Sequence, residues 1–147
     1  MAAELVFVDT NVIVAASVEG HPSHALVTAY LERLAKAGAG ICFSTQVCRE
    51  FMVVLTRGPV ENRSFEPPEA LAVLAEWRGS CVVLEDSELV LADLLALVRR
   101  YSVRGKQIHD ANIVASMRAH GITRLATLNV TDFRRFEDLI VLETFVS

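Results

Sequence analysis

The sequence predicts an α/β protein, a three-layer α/β/α sandwich around a central, mainly parallel sheet of about four to five strands. Short apolar runs without polar alternation are typical of parallel strands that are buried on both faces. Stretches with helical spacing separate these runs, which is the order that right-handed βαβ crossovers produce. The apolar runs are LVFV at 5–8, ICF at 41–43, CVVL at 81–84, LATL at 125–128 and LIVL at 139–142.

The intervening segments have recognisable helix starts and stops. Ser23 precedes a stretch with apolar residues at helical spacing, and Gly38 ends it. Residues 59–68 contain three of the four prolines and indicate a surface loop, and residues 102–108 indicate a basic loop. Gly121 closes the last long helix. The predicted helices cover 12–16, 23–37, 45–57, 67–77, 86–101 and 109–120.

Length and composition indicate a globular protein. The chain has 147 residues, of which 52% are apolar and 22% charged, so we expect a single domain over residues 1–147. No apolar run approaches the roughly 20 residues of a membrane span, and the start lacks the basic segment of a signal peptide. We therefore expect a cytoplasmic protein. Cys42, Cys48 and Cys81 lack metal-type spacing and are expected to be inert, buried thiols.

Four acids from distant parts of the chain are expected at one edge of the sheet. Asp9 follows the first strand, and Asp132 lies just past the fourth. Glu50 lies near the start of the helix after the second strand, on its apolar side. Asp110 opens a helix that must run down to the fourth strand, so its start lies at the carboxyl edge. In open α/β sheets this edge is where sites form.

Each acid alone has an ordinary explanation, and only the joint pattern favours a site. Caps, helix-dipole contacts and ion pairs account for single acids. These explanations are caps at Asp9 and Asp132, a helix-start acid at Asp110, and a salt bridge from Glu50 to Arg49 or Arg57.

Clustered carboxylates require a compensating cation. Two of them about 5 Å apart repel by roughly 3 kcal/mol at an effective dielectric constant near 20. Oxygen ligands without histidine or cysteine suit Mg²⁺, with Mn²⁺ as a plausible substitute. Such a site supports hydrolysis of a phosphodiester. The net charge of −4 does not oppose this, because setting aside four ligand acids leaves 14 basic and 14 acidic residues.

Four segments of the chain resemble the PIN-domain ribonucleases of the VapC toxin type. They occur in the order typical of that family and extend over most of the chain; the first and third together are fairly specific. The segments are VFVDTNVIVA at 6–15, CREF at 48–51, HDANIVASMRAHG at 109–121 and LATLNVTDF at 125–133.

The resemblance implies roles for particular residues. Asp9, Glu50 and Asp110 would form the acidic triad that holds the metal, and Asp132 would be the fourth acid. Many members have an acid two residues after the threonine, where this chain has Asn129, so either Asn129 or Asp132 completes the site. The polar neighbours that would orient water or ligand are Thr10, Asn11, Thr127 and Asn129.

The resemblance also implies an RNA-cleaving toxin that halts translation, often by cutting tRNA or ribosomal RNA. It implies a homodimer and a VapB-like antitoxin that blocks the site. Four basic residues near the site would hold RNA phosphates, although a solvated surface explains them equally well. These residues are Arg104, Lys106, Arg134 and Arg135.

Other classes of protein remain as alternatives. The fold also serves RNA-processing nucleases that are not toxins, and domains that bind RNA or a partner without cleavage. Haloacid-dehalogenase-like phosphatases likewise place an Asp after the first strand, but they usually carry a second acid two residues on. That position is Asn11 here, so a phosphatase is the weakest of these hypotheses.

Overall fold

A computed structural model describes residues 4–146 of the chain. The described residues form five strands, seven α-helices and a short 3-10 helix at Arg134–Phe136, which lies between the last α-helix and the last strand. The strands are β1 (Leu5–Val8), β2 (Gly40–Ser44), β3 (Val82–Leu84), β4 (Arg124–Ala126) and β5 (Val141–Leu142). The helices are α1 (Thr10–Ser17), α2 (His24–Lys36), α3 (Thr45–Thr56), α4 (Pro67–Ser80), α5 (Glu88–Tyr101), α6 (Gln107–Ala119) and α7 (Val130–Phe133).

The sheet confirms the predicted fold class. Its strand order is β3-β2-β1-β4-β5, and all neighbouring strands are parallel. Phe7 in β1 pairs with Cys42 of β2 on one side and with Leu125 of β4 on the other. In the central strand, Val6, Phe7 and Val8 are fully buried, as the unbroken apolar run predicts. Helices α1 to α4 pack against one another, and α5, α6 and α7 form a second group.

The glycine stops predicted after two helices are present. Gly121 has a φ of +71°, which a residue with a side chain rarely adopts. The next residue, Ile122, donates its backbone N–H to the carbonyl of Met117 at 2.8 Å, which closes the last turn of α6. Gly38, with a φ of +79°, ends α2 in the same way. Ser23 lies at the start of α2, but its side chain makes no cap hydrogen bond.

Several predicted boundaries were wrong. Strand β4 ends at Ala126 and not at 128, and β5 begins at Val141 and not at 139. Helix α6 begins at Gln107, so the basic loop is shorter than the predicted 102–108. Helix α4 continues to Ser80 beyond the predicted end at 77. The segment 130–136, for which the sequence predicts no helix or strand, contains α7 and the 3-10 helix. Within the described residues, no helix combines the length and apolar character that crossing a membrane requires.

Candidate active site

Asp9 lies at the carboxyl edge of β1 and is only 6% exposed. Its Oδ1 accepts a hydrogen bond from the backbone N–H of Thr10 at 2.8 Å. Its Oδ2 accepts from the hydroxyl of Thr127 at 2.8 Å and from Nδ2 of Asn11 at 3.3 Å. The N-cap role that explains an Asp at this position is therefore real, but it occupies only one of the two carboxylate oxygens. The other oxygen, Oδ2, is held by Asn11 of the following helix and by Thr127, which comes directly after β4.

Thr127 connects the ends of β1 and β4 at this edge of the sheet. It follows β4 and is 1% exposed. Besides donating to Asp9, its hydroxyl accepts from the backbone N–H of Asn129 at 3.0 Å and lies 3.4 Å from Nδ2 of Asn11. Asn11 in turn accepts the backbone N–H of Leu128 at 3.0 Å. The predicted polar neighbours thus form one network, although Asn129 enters it through its backbone and its exposed side chain caps nothing.

Glu50 lies in the second turn of α3 and is partly buried. Its Oε2 accepts from the hydroxyl of Thr10 at 2.8 Å, so Thr10 contacts both triad acids that precede Asp110 in the chain. Its Oε1 accepts from Nε2 of Gln46 at 2.8 Å. The alternative of a salt bridge to Arg49 or Arg57 is wrong, because Glu50 forms no ion pair within the described residues.

The remaining two predicted acids, Asp110 and Asp132, lie on α6 and α7. Asp110 lies in the first turn of α6 and is partly buried, whereas Asp132 lies in α7 and is exposed. The negative charges of both Glu50 and Asp132 act on Asp9. The charges of Asp9, Asp132 and Glu50 all act on Asp110. The topology therefore brings the four acids close enough to interact electrostatically.

Burial and like charge make two of these carboxyl groups harder to ionise. Burial is the main reason that the pKa of Asp9 rises to about 6, and the charges of Glu50 and Asp132 add to it. The hydrogen bonds from Thr127 and Thr10 oppose this rise, because they stabilise the carboxylate. Burial, followed by the surrounding carboxylates, also raises the pKa of Asp110 to about 6.

The donor set fits a hard divalent cation held through few direct bonds. The surrounding side chains offer carboxylate, hydroxyl and amide oxygens, which Mg²⁺ prefers. However, no three Asp, Glu, His or Cys side chains between residues 4 and 146 are already gathered as a metal-binding group. The acids thus form an interacting cluster that is looser than the four converging ligands that the sequence predicts. Mg²⁺ usually keeps several waters and binds through one or two carboxylates, which such a cluster can provide.

The four basic residues singled out from the sequence are all exposed and lie in segments next to the helices that carry Asp110 and Asp132. Arg104 and Lys106 lie in the loop between α5 and α6, and Arg134 and Arg135 lie in the 3-10 helix after α7. Arg135 donates to Oε1 of Gln107 at 2.8 Å, which ties the 3-10 helix to the start of α6. Both pairs flank elements that carry an acid, Asp110 on α6 and Asp132 on α7.

The structure adds two residues that the sequence analysis missed. Gln46 lies one helical turn before Glu50, is 3% exposed, and contacts Glu50 directly. Asn112, on α6, donates to Oε1 of Gln46 at 2.6 Å. The signal in the sequence was a glutamine on the apolar face of a predicted helix, four residues before an acid. Its partners on α6 are not visible from local spacing.

The chain belongs to the PIN domain family, a family of nucleases, because the family's pattern matches residues 6–139. Ribonuclease VapC24 of Mycobacterium tuberculosis is 27% identical to it over 132 residues, which cover 88% of this chain and 89% of that protein. The same values hold for the protein from two strains, CDC 1551 and H37Rv.

Solved structures with the same fold include toxin–antitoxin complexes. VapBC2 from Rickettsia felis, bound to a DNA fragment from its promoter, matches with a TM-score of 0.69 and 22% identity over 95% of this chain and 97% of that one. Mycobacterium tuberculosis VapC20, a sarcin-ricin loop cleaving toxin, matches with a TM-score of 0.65 and 21% identity over 92% and 96%. These similarities confirm the PIN-like fold.

Proposed function

We propose that this chain is a divalent-metal-dependent endoribonuclease of the VapC type, with Mg²⁺ as its ion and Mn²⁺ as a substitute. The observation that carries the proposal is the buried carboxylate of Asp9, on which the charges of two further acids act at the carboxyl edge of a parallel sheet. Membership of the PIN nuclease family and the likeness to Ribonuclease VapC24 support the same activity.

Asp9, Glu50, Asp110 and Asp132 would hold the metal. The bound ion would supply an activated water and would stabilise the charge that develops on the phosphate. Thr127 and the backbone N–H of Thr10 keep the Asp9 carboxylate oriented and favour its ionised form.

Three further residues support the proposed reaction around the acids. The hydroxyl of Thr10 fixes one oxygen of Glu50. Asn11 bridges Asp9 and the backbone after β4, so it holds the edges of β1 and β4 together. Asn129 supports the hydroxyl of Thr127 through its backbone. In this assignment Asp132 is the fourth acid and Asn129 a neutral helper.

The exposed basic residues would bind the RNA backbone on either side of the scissile phosphate. Phosphate contacts of this kind position a strand and carry no sequence information. The net charge of −4 makes local arginines and lysines, not the overall field, responsible for attracting RNA. The four residues are Arg104, Lys106, Arg134 and Arg135.

The proposed biological role is that of a toxin that cleaves tRNA or ribosomal RNA and thereby inhibits translation. We propose that it acts in the cytoplasm as a homodimer and is neutralised by a VapB-like antitoxin. The VapBC and FitAB assemblies among the structural relatives support this role. A non-toxin RNA-processing nuclease would use the same site, and a non-catalytic domain would keep the fold without cleavage. Membership of the PIN family removes the support for a phosphatase.

A cleavage assay with matched variants tests the proposal. The purified chain is expected to cut RNA internally in Mg²⁺ or Mn²⁺ and to stop when EDTA is added. Asp110→Asn should lower the rate by about 100-fold or more, because the reaction loses a ligand to the ion. Asp138→Asn is the control, since this carboxylate pairs with Arg100 at the surface. Cleavage in EDTA, or an active Asp110→Asn variant that folds normally, would refute the mechanism.

A further inference from the structure

Gln46 is placed between the two helices that carry acids of the proposed site. It lies in the first turn of α3, and Glu50 lies one turn later on the same face. Its side-chain Nε2 donates to Oε1 of Glu50 at 2.8 Å and to the backbone carbonyl of His109 at 2.9 Å. His109 immediately precedes Asp110 in the first turn of α6.

The third polar contact of this side chain comes from the same part of α6. Oε1 of Gln46 accepts from Nδ2 of Asn112 at 2.6 Å. Nδ2 of Asn112 also lies 3.4 Å from Oδ2 of Asp86, in the loop between β3 and α5. Gln46 is 3% exposed, so water does not reach this amide to replace a partner that is lost.

Only a primary amide satisfies all three partners at once. Glu50 and the His109 carbonyl both need a donor, and Asn112 offers one. A glutamine side chain has two N–H donors and one acceptor oxygen on a planar group. A glutamate would present a second carboxylate to Glu50, and a methionine of similar size would offer neither donor nor strong acceptor.

We infer that Gln46 is a positioning residue for the proposed metal site, which sets the distance between Glu50 on α3 and Asp110 on α6. Carboxylates that share an ion repel each other until it binds, so a bond between the helices that carry them limits how far they separate. The Nε2 group of Gln46 does this by donating both to the acid on one helix and to the backbone carbonyl beside the acid on the other. The inference rests on the proposed metal-dependent function.

Mg²⁺ binding measured by calorimetry tests this role separately from activity. In Gln46→Met we expect the dissociation constant for Mg²⁺ to rise at least fivefold, while RNA binding in EDTA stays within twofold of the wild type. With RNA as substrate, kcat should fall and KM should change little. The swapped pair described next uses Gln46→Glu, and Gln107→Glu is the charge control for that variant. It adds the same carboxylate to the first turn of α6, where Gln107 contacts Arg135 and not Glu50.

A swapped pair distinguishes positioning from simple stability. Gln46→Glu alone places two carboxylates in contact and is expected to lower the melting temperature. Adding Glu50→Gln removes the contact between two carboxylates but leaves the His109 carbonyl without its donor, so the double variant should regain only part of the melting temperature and no Mg²⁺ affinity. Recovery of Mg²⁺ affinity would overturn the inference, because a site that lacks the bond from residue 46 to the His109 carbonyl would then bind the ion as well as the wild type.

The two proposals fail in different ways. If the wild-type chain binds no divalent cation in calorimetry, the proposed metal-dependent function is wrong. If the wild type binds Mg²⁺ and cleaves RNA, but Gln46→Met binds Mg²⁺ as tightly, then only the role of Gln46 is wrong. A folded Gln46→Met variant with a fivefold weaker Mg²⁺ site supports both.

Discussion

The buried carboxylate of Asp9 predicts a stability that depends on both pH and Mg²⁺. Its pKa rises from the ordinary 3.8 to about 6, mainly because the group is buried. The folded protein therefore binds this proton more tightly than the unfolded chain does. The stability that results is complete below about pH 4 and is lost as the pH rises through about 6.

The magnitude follows from the size of the shift. One pKa unit corresponds to about 1.4 kcal/mol, so ionising Asp9 in the folded protein costs about 3 kcal/mol in full. Between about pH 5 and pH 7.5 the linkage relation gives a loss of about 1.4 kcal/mol. For a domain of this size, that is a fall of about 4 °C in melting temperature. Asp110, whose pKa is also raised to about 6, adds a smaller amount because it is less buried.

Mg²⁺ should reverse this loss. An ion that binds only the folded protein, at about ten times its dissociation constant, stabilises it by about 1.4 kcal/mol. Thermal melts in EDTA and in Mg²⁺, at about pH 5 and pH 7.5, measure both effects. Asp9→Asn should lose most of the pH dependence and most of the Mg²⁺ effect, whereas Asp138→Asn should keep both. An Asp9→Asn variant that responds to pH and Mg²⁺ like the wild type would refute the reasoning.

Three further predictions concern single side chains. Thr127→Val removes a hydrogen bond that lowers the pKa of Asp9. Mg²⁺ should therefore bind about 3-fold to 10-fold more weakly near pH 7, and its affinity should recover near pH 8.5. Thr127→Ser keeps the hydroxyl and should behave as the wild type. A weakening that is the same at both pH values would count against this. Cys42→Ala should lower the free energy of unfolding by about 1 kcal/mol and leave RNA cleavage unchanged, because the thiol is fully buried in β2. Loss of turnover in a folded variant would show a functional thiol. Lys106→Ala and Arg135→Ala should each reduce the salt dependence of RNA binding by about 0.7 in the log–log slope, and an unchanged slope would mean that these side chains are only solvated.

The strands, and the edge of the sheet at which Asp9 lies, could be predicted because both depend on local signals. An unbroken apolar run such as Val6–Val8 reports burial on both faces of a sheet. An acid that directly follows such a run must lie at the carboxyl edge, whatever the tertiary packing. Gly121 was equally informative, since only a residue without a side chain readily adopts its positive φ.

The parts that could not be predicted depend on tertiary contacts. Helix α7 has only four residues, and the segment is anchored by Phe133 and by Phe136 in the 3-10 helix that follows, both buried in the core. The start of α6 at Gln107 lacks a capping side chain, because the residue before it is Lys106. No sequence signal marked either feature. The same limit applies to Gln46, whose partners on α6 lie more than 60 residues away in the chain.

The hydrogen bonds and the repulsion in the site act in opposite directions, and their balance suits a metal-binding acid. Burial and like charge alone would keep the Asp9 carboxyl protonated at a higher pH, and a protonated carboxyl is a poor ligand. The bonds from Thr127 and Thr10 bring its pKa down to about 6, so the group is about nine-tenths ionised near pH 7. At the proposed metal site, the group would thus keep its charge available to a cation and retain the repulsion that a bound cation relieves. This explains why polar neighbours surround Asp9 where a simple helix cap would need only the backbone of Thr10.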